Sequence, residues 1–230
     1  MMKSLYLILM FSLGFCGAYS QQSDCACPND DDYEIRLQES LMGFAYRNPV
    51  EGYTGRQYFN NWALGEVRMI NGDMIRNIFL QYDTYMDELL WLRQSDLKTG
   101  IINKGDVAGF RLSNNINEPS MTFIKKNITL PFIGSKDAYL QVLVKGDPAL
   151  YAYRNATTTT TDYRLIDNGK YLISVAGNDY FVRLRRNSLL DIPVIPGTEM
   201  KAILRSNRIA IRNNEHELIR AISLYNLSHK

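Results

Sequence analysis

Between residues 53 and 184 the chain is broken every 8 to 15 residues by Asn, Asp, Gly or Pro, and the runs between the breaks are rich in Ile, Val, Tyr, Phe and Leu. That rhythm leaves no room for helices between strands, because a parallel crossover consumes a dozen or more residues. Successive antiparallel strands fit it. The expected fold class is mainly β (α+β): an antiparallel meander, forming a curved sheet or a partly open barrel, with two or three C-terminal helices packed on it.

The clearest hairpin signal lies in "VRMINGDMIRNIFLQYD". Asn71-Gly72 is the favoured pair for a two-residue type I′ turn, whose positions both need positive φ. Such a turn sets Met69 opposite Met74. It places Val67, Met74, Ile78, Leu80 and Tyr82 on one face, with Arg76 the lone exception, and Glu66, Arg68, Asn77, Gln81 and Asp83 on the other. Turns at residues 145–148, 167–170 and 176–179 give three more hairpins in succession, and "IINKGDVAGFRL" and "MTFIKKNITL" read as further strands. The five threonines at 157–161 read as a mobile or extended loop between strands.

After Arg186 the period changes. A short apolar helical turn is followed by a helix opened by Thr198, with Met200, Ile203 and Leu204 on one side. "NNEHELIRAISLYNL" is a stronger helix, in which Asn214 caps, Glu217 returns the capping bond, and Leu218, Ala221, Ile222 and Tyr225 form the apolar stripe. These stripes are expected to bury against the sheet.

The first residues carry Lys3, an apolar run at 5–15 and small residues at Ala18 and Ser20, the pattern of an export signal cleaved after Ser20. The run is too short to span a bilayer comfortably. A lipoprotein signal at Cys16 would need a small residue where Phe15 stands. The expected organisation is residues 1–20 signal peptide, 21–50 flexible acidic segment, 51–186 antiparallel β domain and 187–230 helices packing on it.

The net charge of +2 becomes +1 when Lys3 leaves with the signal, which gives no general attraction to nucleic acid. Residues 21–40 hold six acids against Arg36, and residues 180–230 hold nine Lys and Arg against four acids. Cys25 and Cys27 are the cysteines left after the signal; a strained disulfide, a soft-metal site and a bond to another molecule all stay open for them. His216 and His229 lack metal-ligand spacing with them.

The densest carboxylate group is Asp83, Asp87 and Glu88 in "YDTYMDELLW". Glycoside hydrolysis needs two carboxyls across a cleft, usually from different elements. Sequence neighbours read more simply as the solvated rim of a turn between "IFLQY" and "LLWLR". "HELIR" starts like a zinc-protease helix, but Arg220 stands where the second imidazole belongs. Arg183 and Arg185 read as one solvated strand face, and Trp62 and Trp91, flanked by leucines, as core. No phosphate loop, nucleophile elbow or dinucleotide fingerprint is present.

"NNWALGEVRMINGDMIRNIFLQYDTYMDEL" resembles the central block of an uncharacterised family of exported Bacteroidetes proteins, and "SNRIAIRNNEHELIRAISLYN" is similar to its closing helices. Asp83 stands where that family carries asparagine. The resemblance implies a bacterial envelope or secreted setting and brings no activity with it.

The expected function is therefore an exported, periplasmic or cell-surface, non-enzymatic binding or scaffolding protein of the envelope. Its alternatives are a carrier of an apolar ligand and, behind that, a hydrolase of envelope polymers. No catalytic, cofactor-binding or metal residue is assigned and no cofactor is expected. The expected partner is an envelope component, a glycan or a lipid, with no nucleic acid and no transmembrane segment in the mature chain.

Overall fold

The computed structural model describes residues 41, 43–113, 119–130, 134–159 and 161–229. Its strands are β1 (Gly43–Ala45), β2 (Ala63–Met69), β3 (Met74–Asp83), β4 (Glu88–Leu92), β5 (Thr99–Ile102), β6 (Val107–Ser113), β7 (Met121–Leu130), β8 (Gly134–Val144), β9 (Ala149–Tyr153), β10 (Ala156–Thr159), β11 (Arg164–Asp167), β12 (Lys170–Val175) and β13 (Asn178–Val182). Helices α1 (Arg186–Leu190), α2 (Gly197–Ser206) and α3 (Glu215–Ser228) follow. Eleven strands form one antiparallel sheet in the order β1-β5-β4-β3-β2-β6-β7-β8-β9-β12-β13, and β10 pairs with β11 apart from it. The chain is thus mainly β, a curved and unclosed antiparallel sheet with three C-terminal helices.

The curvature is visible in contacts that skip the ladder. β3 and β8 are separated in the sheet by β2, β6 and β7, yet the turn after β3 touches the β8–β9 end: Ala156 N donates to Thr84 O at 3.0 Å, and Tyr139 N donates to the Asp87 carboxylate at 3.3 Å. Inside this curl the rings of Phe110 and Phe123 stack at 4.6 Å, with Tyr82 and Tyr139 within 5.1–5.7 Å of one or both and 6.1 Å from each other. Val67, Ile78, Leu80 and Leu112 complete that core. At the other end Leu150, Ile173 and Val182 of the same sheet meet Met200, Leu218 and Ile222 of the helices in a second core. Asn214 caps α3 as expected, accepting from His216 N and Glu217 N. Glu217 turns toward Arg220, 3.9 Å away.

The Asn71-Gly72 turn forms, but with another register. Arg68, rather than Met69, lies opposite Met74. Gly72 takes the positive φ of 98° while Asn71 does not, because the Asn71 side chain is engaged with Asp73, accepting its N–H at 3.1 Å. The outcome is a three-residue loop in place of the two-residue type I′ turn. Further along, β3 sets two residues, Arg76 and Asn77, against Glu66 alone, a bulge with Asn77 at φ 56°. The bulge turns both Ile75 and Ile78 inward and leaves Met74 and Arg76 outside, which removes the Arg76 anomaly.

Three other expectations change. The turn at 167–170 joins no hairpin: β11 pairs with β10, and β12 pairs with β9. Thr157, Thr158 and Thr159 belong to strand β10 rather than a loop. The folded body begins before residue 51, since β1 pairs with β5 and Leu41 and Val50 are buried. By contrast, the 176–179 turn tightens to a two-residue loop, Ala176-Gly177, with both φ positive. The acidic stretch at 21–40 and both Cys25 and Cys27 lie outside the described residues.

Ile222 is fully buried between α3 and the sheet. Ile222→Ala is expected to cost about 2–5 kcal/mol, measured as a drop in the urea midpoint with the slope unchanged.

Candidate functional site

The turn acids are not a solvated rim. Asp83 is 0% and Asp87 1% exposed, so the expectation that they decorate the border is overturned. The physical reason is the curl. It brings the turn at residues 84–87 against β8 and the chain leaving β9, and water is replaced by donors from the protein.

Asp87 ends the turn with φ 58°, a left-handed conformation that Asp tolerates better than most residues. Its Oδ1 accepts the Tyr82 hydroxyl at 2.8 Å and Tyr139 N–H at 3.3 Å. Its Oδ2 faces two ammonium groups, Lys136 Nζ at 3.1 Å and Lys104 Nζ at 3.2 Å. Tyr139 N–H lies where β8 has outrun β9, whose pairing with β8 ends at Leu140 and Tyr153, so the carboxylate stands in for a missing strand. Lys104 also donates to the Asp87 carbonyl and sits 4.7 Å above the Tyr139 ring. Lys136 donates to the Tyr153 hydroxyl at 2.7 Å.

Burial is the largest influence on Lys136 and would lower its ammonium. The Tyr153 bond and the Asp87 charge outweigh that and hold it above the ordinary lysine value. Burial drives Tyr82 and Tyr139 well above the usual phenol range, with Asp87 adding to the effect on both and Glu88 to that on Tyr139. Both are neutral phenols at any physiological pH. Glu88 is half-buried. Burial raises its carboxyl, Lys104 pulls it back, and Asp87 and Asp83 push it up again.

Asp83 sits in a separate set of bonds. Its Oδ2 accepts Tyr46 OH at 3.0 Å and Gln57 Nε2 at 2.9 Å, and its Oδ1 accepts Tyr85 N and Met86 N at 2.9 and 3.0 Å, closing the turn on itself. A third group ties β9 to α3. Arg154 meets Glu215 through both terminal nitrogens at 2.7 and 2.9 Å and donates to Gln141 through Nε, and Tyr171 OH donates to Glu215 at 2.7 Å. Burial opposes the Glu215 charge, but these donors hold its carboxyl below the usual range; Tyr171 is pushed up to about 12, chiefly by burial.

Beside these groups a cleft of about 260 Å³ opens between Arg56, Phe59, Thr84, Arg154 and Asp167. Both guanidinium groups lean on the Phe59 ring, at 5.8 and 5.5 Å. Arg56 is spent on the carbonyls of Tyr58 and Phe59, and Arg154 on Glu215 and Gln141.

Of the other residues singled out in the sequence, Trp91 is core and Trp62 is partly buried. Arg183 and Arg185 lie beyond the end of β13, so they share no strand face. His216 is exposed in the first turn of α3. Among the described residues no group of three His, Cys, Asp or Glu is placed to hold a metal ion, and no helix is long and apolar enough to cross a membrane. Lys104 and Lys136 escaped the sequence reading. They lie 17 and 49 residues from Asp87, Lys104 in the turn before β6 and Lys136 near the start of β8, and no periodicity connects either to it.

Chemically, this arrangement links rather than reacts. Asp87 is walled in by the fold, with a phenol and an amide bonded to Oδ1 and two ammonium groups facing Oδ2, and Lys136 is held in its charged, non-nucleophilic form. No protein-family model matches the chain, and no curated protein or solved structure is significantly similar to it.

Removing the Asp87 charge strands two partly buried ammoniums. Asp87→Asn is expected to cost about 3 kcal/mol, the low end for a broken buried pair because Lys104 and Lys136 keep 19% and 32% side-chain exposure. The triple variant Asp87→Asn/Lys104→Met/Lys136→Met recovers part of that loss in urea unfolding; a single-variant cost below about 1 kcal/mol contradicts the assignment. Glu88 gives a pH test. A carboxyl raised in the folded chain adds stability only below its unfolded value and loses it as pH rises through the folded one. Glu88→Gln is therefore expected to raise the urea midpoint at neutral pH and leave it unchanged in strong acid.

Proposed function

We propose that the chain is an exported, non-enzymatic binding or scaffolding protein of a bacterial envelope, with its signal peptide cleaved after Ser20. The observation that carries this reading is the occupation of the turn carboxylates. Asp83 has four donors, and Asp87 has a phenol and an amide on one oxygen with two ammoniums facing the other, so two of the three acids that would serve a hydrolase are committed to the fold. The aromatic filling of the curl favours scaffolding over carriage of an apolar ligand, because rings packed at 4.6–5.7 Å take the space a lipid chain would need. The export pattern at residues 1–20 supports the location.

The test is incubation of purified mature chain with an array of envelope glycans and lipids, reading both retention and released product. Retention without turnover is the expected result. Turnover abolished by Asp87→Asn and Glu88→Gln would move the protein to the hydrolases, and lipid recovered from the purified chain by solvent extraction would make it a carrier.

A further inference from the structure

The face of the sheet opposite the aromatic core carries a shallow trough of about 320 Å³. Directly opposed residues share a face, and the register carries that face across six strands through lining residues Met74 on β3, Arg68 on β2, Gly109 on β6, Ile124 on β7, Val142 on β8 and Tyr151 on β9. Six strands at roughly 4.8 Å spacing span about 24 Å, which suits an extended chain rather than a small ion. The lowest point of the floor is Gly109, which has no side chain to rise above the neighbouring backbone; an added Cβ would meet Phe123 O at 2.5 Å.

The lining has a consistent sign. Arg68, Arg111 and Lys145 are exposed, against one acid, Glu66, which is already paired to Arg111 at 3.2 Å. Arg68 and Lys145 have no ion-pair partner among the described residues, so two cations stand uncompensated. Between them the floor is apolar, made by Ile124, Val142 and the Tyr151 ring. One face of that ring is taken by Lys126, 5.5 Å from its centre and tied to Asp179 at 2.5 Å.

We propose that this trough binds a linear acidic polysaccharide, with its carboxylates on Arg68, Arg111 and Lys145 and its sugar rings over Ile124, Val142 and Tyr151. The proposal rests on the binding-protein reading and names its ligand class. Cations separated by an apolar strip match a polymer whose apolar ring faces alternate with charged groups. A single-stranded nucleic acid asks instead for successive aromatic platforms on which bases stack. The trough offers one ring, already half covered.

The experiment titrates the full mature chain with polygalacturonate oligomers, and with neutral dextran of matching length, by calorimetry. Polygalacturonate is expected to bind and dextran not to. Affinity should fall about tenfold or more in Arg68→Gln/Arg111→Gln and likewise in Lys145→Gln/Arg68→Gln, and should weaken as salt screens the charges. These side chains are exposed, so the variants are expected to melt with the wild type. Arg183→Gln/Arg185→Gln, away from the trough, should bind as the wild type does. An equal loss in that control, or tighter binding of single-stranded DNA at the same salt, overturns the proposal. So does retention on other envelope material with no affinity for polygalacturonate, which leaves the binding-protein reading standing. Failure to be retained by anything removes both.

Discussion

The Asp87 carboxylate gathers a phenol from β3, an amide and an ammonium from β8, and a second ammonium from the turn before β6. An unclosed sheet needs such a point. The aromatic rings inside the curl supply area, but burial is non-directional and does not fix how far one end of the sheet slides past the other. Directional groups do. At 3.1–3.2 Å and an effective dielectric of about 20, each ion pair has a gross attraction of about 5 kcal/mol, while burying each ion costs several. The net gain is small and the loss on breaking it is large, which is the energetic character of a part that selects one geometry. The Thr84–Ala156 backbone bond and the Asn60 side chain, which accepts from Tyr82 N and donates to Leu80 O, line the same seam.

The helical end obeys a similar division. Leu150, Ile173, Leu218 and Ile222 give α3 its burial, and the Arg154–Glu215 pair with Tyr171 fixes the start of that helix over the end of β9. Tyr82 OH lies 3.3 Å from the Arg154 carbonyl, so the two polar groups meet across the body of the fold. Both acids of this system, Asp87 and Glu215, are spent on holding elements together. On the outer sheet face, Arg68 and Lys145 have no ion-pair partner among the described residues.

Much of this fold was legible in the sequence because its signals are local. Turn residues at 145–148 and 176–179, the strand "MTFIKKNITL" and the Asn214 cap each act within a few residues of themselves. The site was not legible, since it depends on where distant segments arrive. Asp83 and Asp87 look like turn trim until β8 and the chain after β9 are known to cover them. Arg76 looked like a misplaced charge because alternation alone does not show the bulge at Asn77. The pairing of β11 was missed because "DNG" marks a turn equally well whether the chain returns along its own strand or departs to another.

Native-state hydrogen exchange tests the seam most directly, through the amides of Tyr139 and Ala156, which are donated to Asp87 and to Thr84. If the turn closes the curl as one unit, the two amides open together, with the same free energy and the same dependence on denaturant, close to that of global unfolding. If Tyr139 exchanges by a low-energy local opening while Ala156 stays protected, the carboxylate is an ornament on a sheet that keeps its shape without it.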